Sequence, residues 1–502
     1  MFSFLSVEFA LFFFVFFLVY WSFRKRPDIQ NIILLFASYF IIYLMAGIVA
    51  ISVLSLFSVL IFIIAKFIIT SNYKKSWLIT GIIITLANLS VFKYYDFFRN
   101  NISHVMQSLS MDESGLLANI IFPLGISYYS FQAISYLVTL YQYNKKPILE
   151  YDEIPQLSFW QTLTYFSFFA TISSGPISRV NPTKGLHDIE GNKYGMYEQL
   201  NTPYQRDLLY PKIAFALILV ALAKKWWLSG YLADNWVNPV FANPTGFHSL
   251  EILAAIYGYT LQLFLDFSGY SEMMVAFGLL LGFRLPMNFN APLLAHNIRN
   301  FWDRWHISLS TWIRDYIYIP LGGSRKGFLI TQLNLIIAMV ISGIWHGSTL
   351  NFFFWGLLHA IAIALLNTGD LICQKIKHST ERNFLTNTGK TGKTIGVIAT
   401  IHFVVFAFVF FRATTLNEAI LIFNALIFNH TNVLWTNNPL YLLAILGLSW
   451  LLYPIFYRRR MHIAQTINQM PSLWFYAVCF LLFMTVVILA PSGIPGFIYA
   501  NF

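Results

Sequence analysis

The sequence predicts an all-α, polytopic integral membrane protein of about eleven transmembrane helices plus re-entrant or interfacial helices. Three observations carry this prediction. Of 502 residues, 57% are hydrophobic and only 11% charged, whereas an ordinary soluble domain is about a quarter charged. The mean hydropathy is +0.62. Apolar runs of the roughly 20 residues needed to cross a bilayer core of about 30 Å recur along the chain with basic residues between them. A particle of 57.9 kDa with so little polar surface argues against a soluble enzyme, a disordered chain or a nucleic-acid-binding domain.

The 32 Lys and Arg against 21 Asp and Glu give a net charge of +11, which in a bilayer protein reflects basic cytoplasmic loops. Cys373 and Cys479 lie far apart in apolar segments, so neither a disulfide framework nor a cysteine metal cluster is supported.

The first apolar run, residues 3–23, ends at Arg24-Lys25-Arg26 and lacks a small-residue cleavage site. It reads as a retained helix with the N-terminus outside. Runs at about 31–47 and 48–70 are joined by the uncharged Met45-Ala46-Gly47, and the second returns to Lys74 and Lys75. A fourth ends near Val91, and a fifth, Leu117 to Tyr141 with Pro123 inside it, returns to Lys145 and Lys146. The stretch from Phe159 to Ile177 is apolar but contains Ser173-Ser174-Gly175-Pro176, and a long basic segment follows. If that segment is cytoplasmic, the stretch enters and leaves by one face, a re-entrant or interfacial element tolerated only where protein or water lines it.

Beyond it, about 213–231 leads out, 249–282 comes back, and a basic amphipathic segment from Arg284 to Lys326 lies inside. Runs at about 328–345 and 351–372 form a hairpin, followed by three more at about 394–411, 439–456 and 472–490. These place Arg458, Arg459 and Arg460 inside and the C-terminus outside. No heptad, solenoid period or separate soluble domain interrupts residues 1–502, which read as one membrane domain with an extracytoplasmic tail at 497–502.

Ionisable groups at membrane depth carry an insertion cost of a few kcal/mol and are functional candidates by default. His346 sits in Ser342-Gly343-Ile344-Trp345-His346-Gly347, between the halves of the hairpin, with glycines that admit a second backbone or a substrate. Its imidazole either removes a proton from an alcohol or hydrogen-bonds a neighbouring helix. His306 lies in a segment whose Trp302, Trp305 and Trp312 fall at interface-seeking spacings while Arg304 and Arg314 meet phosphate, as in a helix lying on the membrane surface. A second imidazole there would orient a substrate or the first base. Asp266 and Glu272, within a long apolar helix, either line a hydrophilic passage or form structural pairs with Arg284 or Arg299. His359 and His402 read as packing residues. The tail Phe497-Ile498-Tyr499-Ala500-Asn501-Phe502 is an interfacial aromatic anchor, or Tyr499 accepts a covalent group. Zinc-hydrolase, Walker and dinucleotide signatures are absent from the sequence, and no metal is expected.

Together, Phe301 to Gly323 with Arg304-Trp305-His306-Ile307-Ser308, Trp345-His346-Gly347, Asp266-Phe267-Ser268-Gly269-Tyr270-Ser271, the run from Leu124 to Tyr136 and Gly175-Pro176-Ile177 resemble the membrane-bound O-acyltransferase (MBOAT) family. The likeness is to its bacterial branch that decorates cell-surface polysaccharides and extends from the first helix to the last residue. The resemblance implies a helical fold around a central tunnel, an essential histidine at His346 and the second family histidine at His306. It implies acyl transfer from a cytoplasmic donor to an extracytoplasmic partner transferase. The ending Phe497 to Phe502 resembles the FIYxxF tail of acetyltransferase members, where the tyrosine, here Tyr499, is an acyl relay, and this favours O-acetylation over D-alanylation. Asp303 departs from the basic residue often found beside Arg304, which puts a phosphate-binding role there in doubt.

The expected reaction takes acetyl from acetyl-CoA docked near Arg314, Arg325 and Lys326, cations suited to its phosphates but equally explained as positive-inside charge. His346 then serves as base toward Tyr499, and a partner in the cell envelope of an inner-membrane system acetylates a polysaccharide. Peptidoglycan is the favoured acceptor, with alginate or another exopolysaccharide as the alternative. From other classes, a transporter or flippase of an acetyl or lipid-linked sugar carrier would use Asp266, Glu272 and His346 as a polar pathway, and a non-catalytic scaffold would tolerate histidine substitution.

Overall fold

A computed structural model describes residues 2–108, 123–145, 154–377, 389–430 and 438–493. Within them the chain forms helices and turns, with no strand, and nine helices are long and apolar enough to cross a bilayer. The protein is a multi-pass membrane protein. The helix Pro27–Thr70, 44 residues long, is two stretches broken at Gly47, whose φ of +76° lies outside helical space. No atom lies within 4 Å of where a Cβ would sit, so this glycine answers a backbone requirement and not a packing one. The break falls at the uncharged join expected between two spans. Val7–Ser22 is shorter, 16 residues, and starts where the Ser6 hydroxyl accepts from the Phe9 N–H at 3.2 Å, an N-cap.

The chain divides into two compact units, one of Met1–Ala214 with Met274–Met287 and one of Phe215–Met273 with Asn288–Phe502. In the first, the apolar stretch after Ser158 does not form a span. It makes two short helices, Phe159–Ser167 and Phe169–Ile172, of nine and four residues, and residues 162–180 are buried without interruption. A capping box between Ser158 and Gln161 fixes the start. Protein lines the element: the Tyr165 hydroxyl donates to the Ser178 carbonyl at 2.9 Å, and Gln132 Nε2 donates to Ser178 Oγ at 3.1 Å. A Cβ on Gly175 would lie 2.1 Å from the Ala170 carbonyl oxygen, so the turn can close only around glycine.

The same unit holds two arginine networks, that of Arg206 buried and that of Arg284 partly exposed. Arg206 donates to Tyr20 Oη at 3.1 Å, Asn31 Oδ1 at 2.6 Å and the Gln199 carbonyl at 2.8 Å, and its guanidinium lies 4.4 Å from the Phe283 ring centroid. Arg284 pairs with Asp188 at 3.1 Å and Glu190 at 2.7 Å.

In the second unit, the expected hairpin consists of Phe328–His346 and Leu350–Lys377. Its arms cross at glycines: a Cβ on Gly343 would lie 2.2 Å from the Phe352 carbonyl oxygen, and one on Gly356 2.5 Å from that of Met339. The small residues around His346 therefore admit a second backbone. Three features differ from the sequence expectation. The stretch from Phe301 to Tyr316 around His306, expected as a helix on the membrane surface, is not one helix but the end of the short helix Ile298–Trp302, the helix Ile307–Ile313 after a break at His306, and a π-helical turn Arg314–Tyr318. Trp305 and Trp312, expected at the interface, are buried, because the break turns their faces inward. An additional helix, Leu416–Phe428, is capped by Thr415 accepting from the Glu418 N–H at 3.2 Å.

Neither partner anticipated for Asp266 and Glu272 is used. Arg284 is engaged as above and Arg299 pairs with Asp370. The π-helical stretch Ala223–Ser229 instead brings Lys225 to Asp266, with side chains only 4% and 2% exposed, and Lys224 to Glu272 at 2.7 Å. A π-helix holds an extra residue per turn, which lets two consecutive lysines reach acids six positions apart.

Candidate functional site: a buried imidazole–indole core

His346 is the last residue of the helix Phe328–His346 and is 2% exposed. Its ring centroid lies 4.6 Å from that of Trp345, 4.9 Å from Phe411 and 5.2 Å from Trp355, all at steep interplanar angles. These aromatic neighbours present π-faces and edges that accommodate a polar ring.

His306 is 1% exposed and stands at φ +45° immediately before the helix Ile307–Ile313. A non-glycine residue held there carries about 1–3 kcal/mol of strain unless its surroundings over-determine it. They do so through Asn288, whose carbonyl accepts from the Ile307 N–H at 2.9 Å and whose Oδ1 accepts from the Ser308 N–H at 3.1 Å. One asparagine therefore satisfies two of the donors a helix start leaves open. The imidazole packs edge-on against Phe267, centroids 4.6 Å apart, and lies 6.4 Å from Trp345. Burial pushes its pKa down to about 3, so the ring is neutral at physiological pH and able to orient a partner by hydrogen bonding rather than by charge.

The structure thus brings the two sequence-identified histidines onto the same indole, Trp345. A third joins them: His359 is fully buried, 4.8 Å from Trp355 and 5.2 Å from Trp302, consistent with the packing role expected of it. His402 is exposed, its Nδ1 2.7 Å from the Ile398 carbonyl oxygen. Sequence reading missed Asn288, Trp355 and Phe411, since no local pattern marks residues that act through long-range contact, and it singled out Phe267 only as part of a motif. The one available signal was the concentration of aromatic residues, 18% of the chain.

The cations expected to meet the donor are placed differently. The Arg314 side chain is bonded to its neighbour Asp315 at 2.7 Å, and Arg325 and Lys326 are exposed on the turn before the helix Phe328–His346. Asp303, the departure from the family pattern, lies within the electrostatic reach of Arg314, Arg304, Arg299 and His296. Tyr499 and the whole tail 497–502 lie outside the described residues. Among the described residues no group of three or more His, Cys, Asp or Glu is arranged to hold a metal ion.

A polytopic helical membrane protein with two buried histidines converging on one indole is the class that fold and site define. Residues 109–407 match the membrane-bound O-acyltransferase family, and the chain belongs to it; both histidines lie inside the matched region. A peptidoglycan O-acetyltransferase of Helicobacter pylori is 33% identical over 377 residues, covering 71% of this chain and 65% of the relative. A probable alginate O-acetylase AlgI of Pseudomonas putida is 34% identical over 294 residues, 58% of this chain and 55% of the relative. A teichoic acid D-alanyltransferase of Bacillus subtilis is 29% identical over 300 residues, 58% of this chain and 69% of the relative. The chain therefore spans a little under two thirds of the Helicobacter protein and about half of the Pseudomonas one.

Proposed function

We propose that this chain is the transmembrane acyltransferase of a cell-envelope O-acetylation system in the cytoplasmic membrane, with both termini on the outer side. It takes acetyl from cytoplasmic acetyl-CoA and passes it outward to an extracytoplasmic partner that acetylates a polysaccharide. The observation that carries the reading is the burial of His346 and His306 around Trp345, in the part of the chain that matches the family.

In the proposed step, His346 removes the proton from the Tyr499 hydroxyl. The phenol oxygen attacks the thioester carbonyl, the C–S bond breaks, and the leaving thiolate of coenzyme A recovers the proton from the imidazolium. The acetyl ester on the tyrosine is then handed to the partner. A base is needed because a phenol of pKa about 10 is mostly protonated at neutral pH. His306, neutral by burial, positions the acceptor or the first imidazole. Arg314, Arg325 and Lys326 attract the phosphates of the donor. Peptidoglycan is the favoured acceptor, supported by the Helicobacter relative that covers most of this chain; alginate or another exopolysaccharide is the alternative named by the Pseudomonas relatives.

Purified protein with His346→Ala should lose acetyl transfer from acetyl-CoA, and a normal rate would remove the assignment. Tyr499→Phe should abolish polymer acetylation in cells, detected by mass spectrometry of cell-wall sugars, and full acetylation would eliminate the relay while sparing the base. A second reading, a transporter of an acetyl or lipid-linked carrier, draws on the two lysine–carboxylate pairs inside membrane-spanning helices. Reconstituted vesicles separate the two, since a transporter leaves the thioester of acetyl-CoA intact.

A further inference from the structure

Three separate elements of the second unit deliver cations to one place, and its hub is Asn290. The Asn290 carbonyl accepts from Arg304 Nη1 at 2.9 Å, and its side-chain Oδ1 accepts from the Tyr457 hydroxyl at 2.8 Å. Arg304 Nε donates to Asn300 Oδ1 at 3.0 Å, so the hydrogen bonds of this guanidinium go to neutral oxygens and leave its charge uncompensated by contact. Arg460 lies 4.0 Å over the Tyr457 ring and donates to the Tyr457 carbonyl at 2.9 Å, with Arg458 and Arg459 exposed beside it. From another side, the helix Gly389–Arg412 passes so close to His296 that a Cβ on Gly396 would sit 2.4 Å from the His296 carbonyl oxygen. That approach brings Lys393, one turn earlier, to the same place: partial burial and the charges of Arg304, Lys393 and Arg299 hold the His296 imidazole below its ordinary pKa. The nearby carboxylates are Asp303, which faces this group, Asp370, already engaged by Arg299, and Glu272, which acts on Tyr453 one turn before Tyr457 and is paired with Lys224.

The level of this collar is set by the helix Pro439–Gln469. Its apolar part, residues 439–456, is about 27 Å long at 1.5 Å per residue, close to a hydrocarbon core of about 30 Å. Tyr457 and three arginines follow at once, at the height where acyl chains give way to headgroups. Directly before them Leu452, Ile455 and Phe456 are exposed, an apolar surface continuous with the cations.

We propose that Arg304 and Arg460, backed by Lys393, form a binding site for the phosphodiester headgroup of an anionic phospholipid whose acyl chains lie along the exposed face at Leu452, Ile455 and Phe456. A free phosphate shares the headgroup chemistry, but it would leave that apolar face uncovered. Basic pockets between membrane helices bind anionic headgroups in this way, each surface cation adding about 1 kcal/mol. Two cations correspond to roughly a 30-fold preference over a zwitterionic lipid. The site is independent of the reaction proposed above.

The test uses the full chain, delipidated in neutral detergent and titrated with phosphatidylglycerol or phosphatidylcholine while native mass spectrometry counts bound lipid. Phosphatidylglycerol should bind about 30-fold more tightly. Arg304→Gln/Arg460→Gln should erase the difference, and Lys25→Gln/Lys75→Gln should not. Because Arg304 also anchors Asn290 and Asn300, the exposed pair Lys393→Gln/Arg460→Gln is measured alongside; it spares those bonds and should reduce the preference several-fold. Equal affinity for the two lipids, or a preference surviving both double substitutions, would overturn the proposal. Displacement of phosphatidylglycerol by coenzyme A or inorganic phosphate at submillimolar concentration would reassign the site to a soluble phosphate.

Discussion

Asp266→Asn isolates what the buried ion pair contributes. Lys225 and Asp266 are 4% and 2% exposed, inside membrane-spanning helices, so water cannot take over the solvation of the ammonium once the carboxylate is gone. Removing one partner of such a pair leaves an uncompensated buried charge and costs about 3–5 kcal/mol. Replacing both partners by apolar groups, Lys225→Met/Asp266→Leu, removes the charge along with its partner and should be nearly neutral. Lys224 and Glu272 are 21% and 16% exposed, so Glu272→Gln should fall between the loss at Asp266 and the roughly 1 kcal/mol of a surface pair. Reversible unfolding in mixed micelles supplies the free energies. An Asp266→Asn protein within 1 kcal/mol of wild type, or a double variant no more stable than the worse single one, would refute the reasoning. Acyl transfer by the stable double variant separates roles: retained activity makes the pair structural, and loss of activity assigns it to a passage.

Gly343→Ala should destabilise the hairpin by about 1–3 kcal/mol, because the new methyl would lie 2.2 Å from the Phe352 carbonyl oxygen; an unchanged thermal midpoint would contradict the close crossing. Burial holds the folded His306 imidazole near 3, whereas the unfolded chain titrates near 6.5. The unfolded state therefore takes up the proton first. Stability from this residue is intact above about pH 6.5 and declines as pH falls toward 3, by up to about 1.4 kcal/mol per unit. Unfolding measured between pH 7.5 and 5 should decline more steeply for wild type than for His306→Gln, and parallel slopes would disprove the burial argument. Asn288→Ala strands the Ser308 N–H, bonded at 3.1 Å to Oδ1, and should cost about 1–2 kcal/mol as the loss of a helix cap, with near-ultraviolet circular dichroism of the buried tryptophans reporting the change.

Which features could be read in advance follows from the range of the interaction that fixes them. The kink at Gly47 and the turn at Ser173 to Pro176 are written into a few adjacent residues, as are the glycines that let the arms of the hairpin meet. The partners of Asp266 and Glu272 are not, since they depend on a π-helical stretch at Ala223–Ser229 that shifts consecutive lysines around the helix axis. Helical periodicity assumes 3.6 residues per turn and does not foresee a π-helical turn there. The same assumption failed at His306. An unbroken helix from Phe301 would have turned the tryptophans outward, but one left-handed residue redirects Trp305 and Trp312 into the core.

Two kinds of polar group are consequently buried in the second unit, and they differ in what a cycle of proton movement would demand of them. Each lysine–carboxylate pair is neutral only as a pair, and moving a proton or an ion through the buried Lys225–Asp266 pair leaves a charge in a dry interior at a cost of several kcal/mol. Burial keeps the His306 imidazole neutral at physiological pH, and its ring, like that of His346, is packed among aromatic rings. Accepting a proton from a hydroxyl and releasing it to a departing thiolate charges such a ring only transiently and disturbs no ion pair. An ion passage built on Lys225 and Asp266 would have to break that buried pair. Acid–base work at the histidines, as proposed above, would leave both ion pairs intact throughout the cycle.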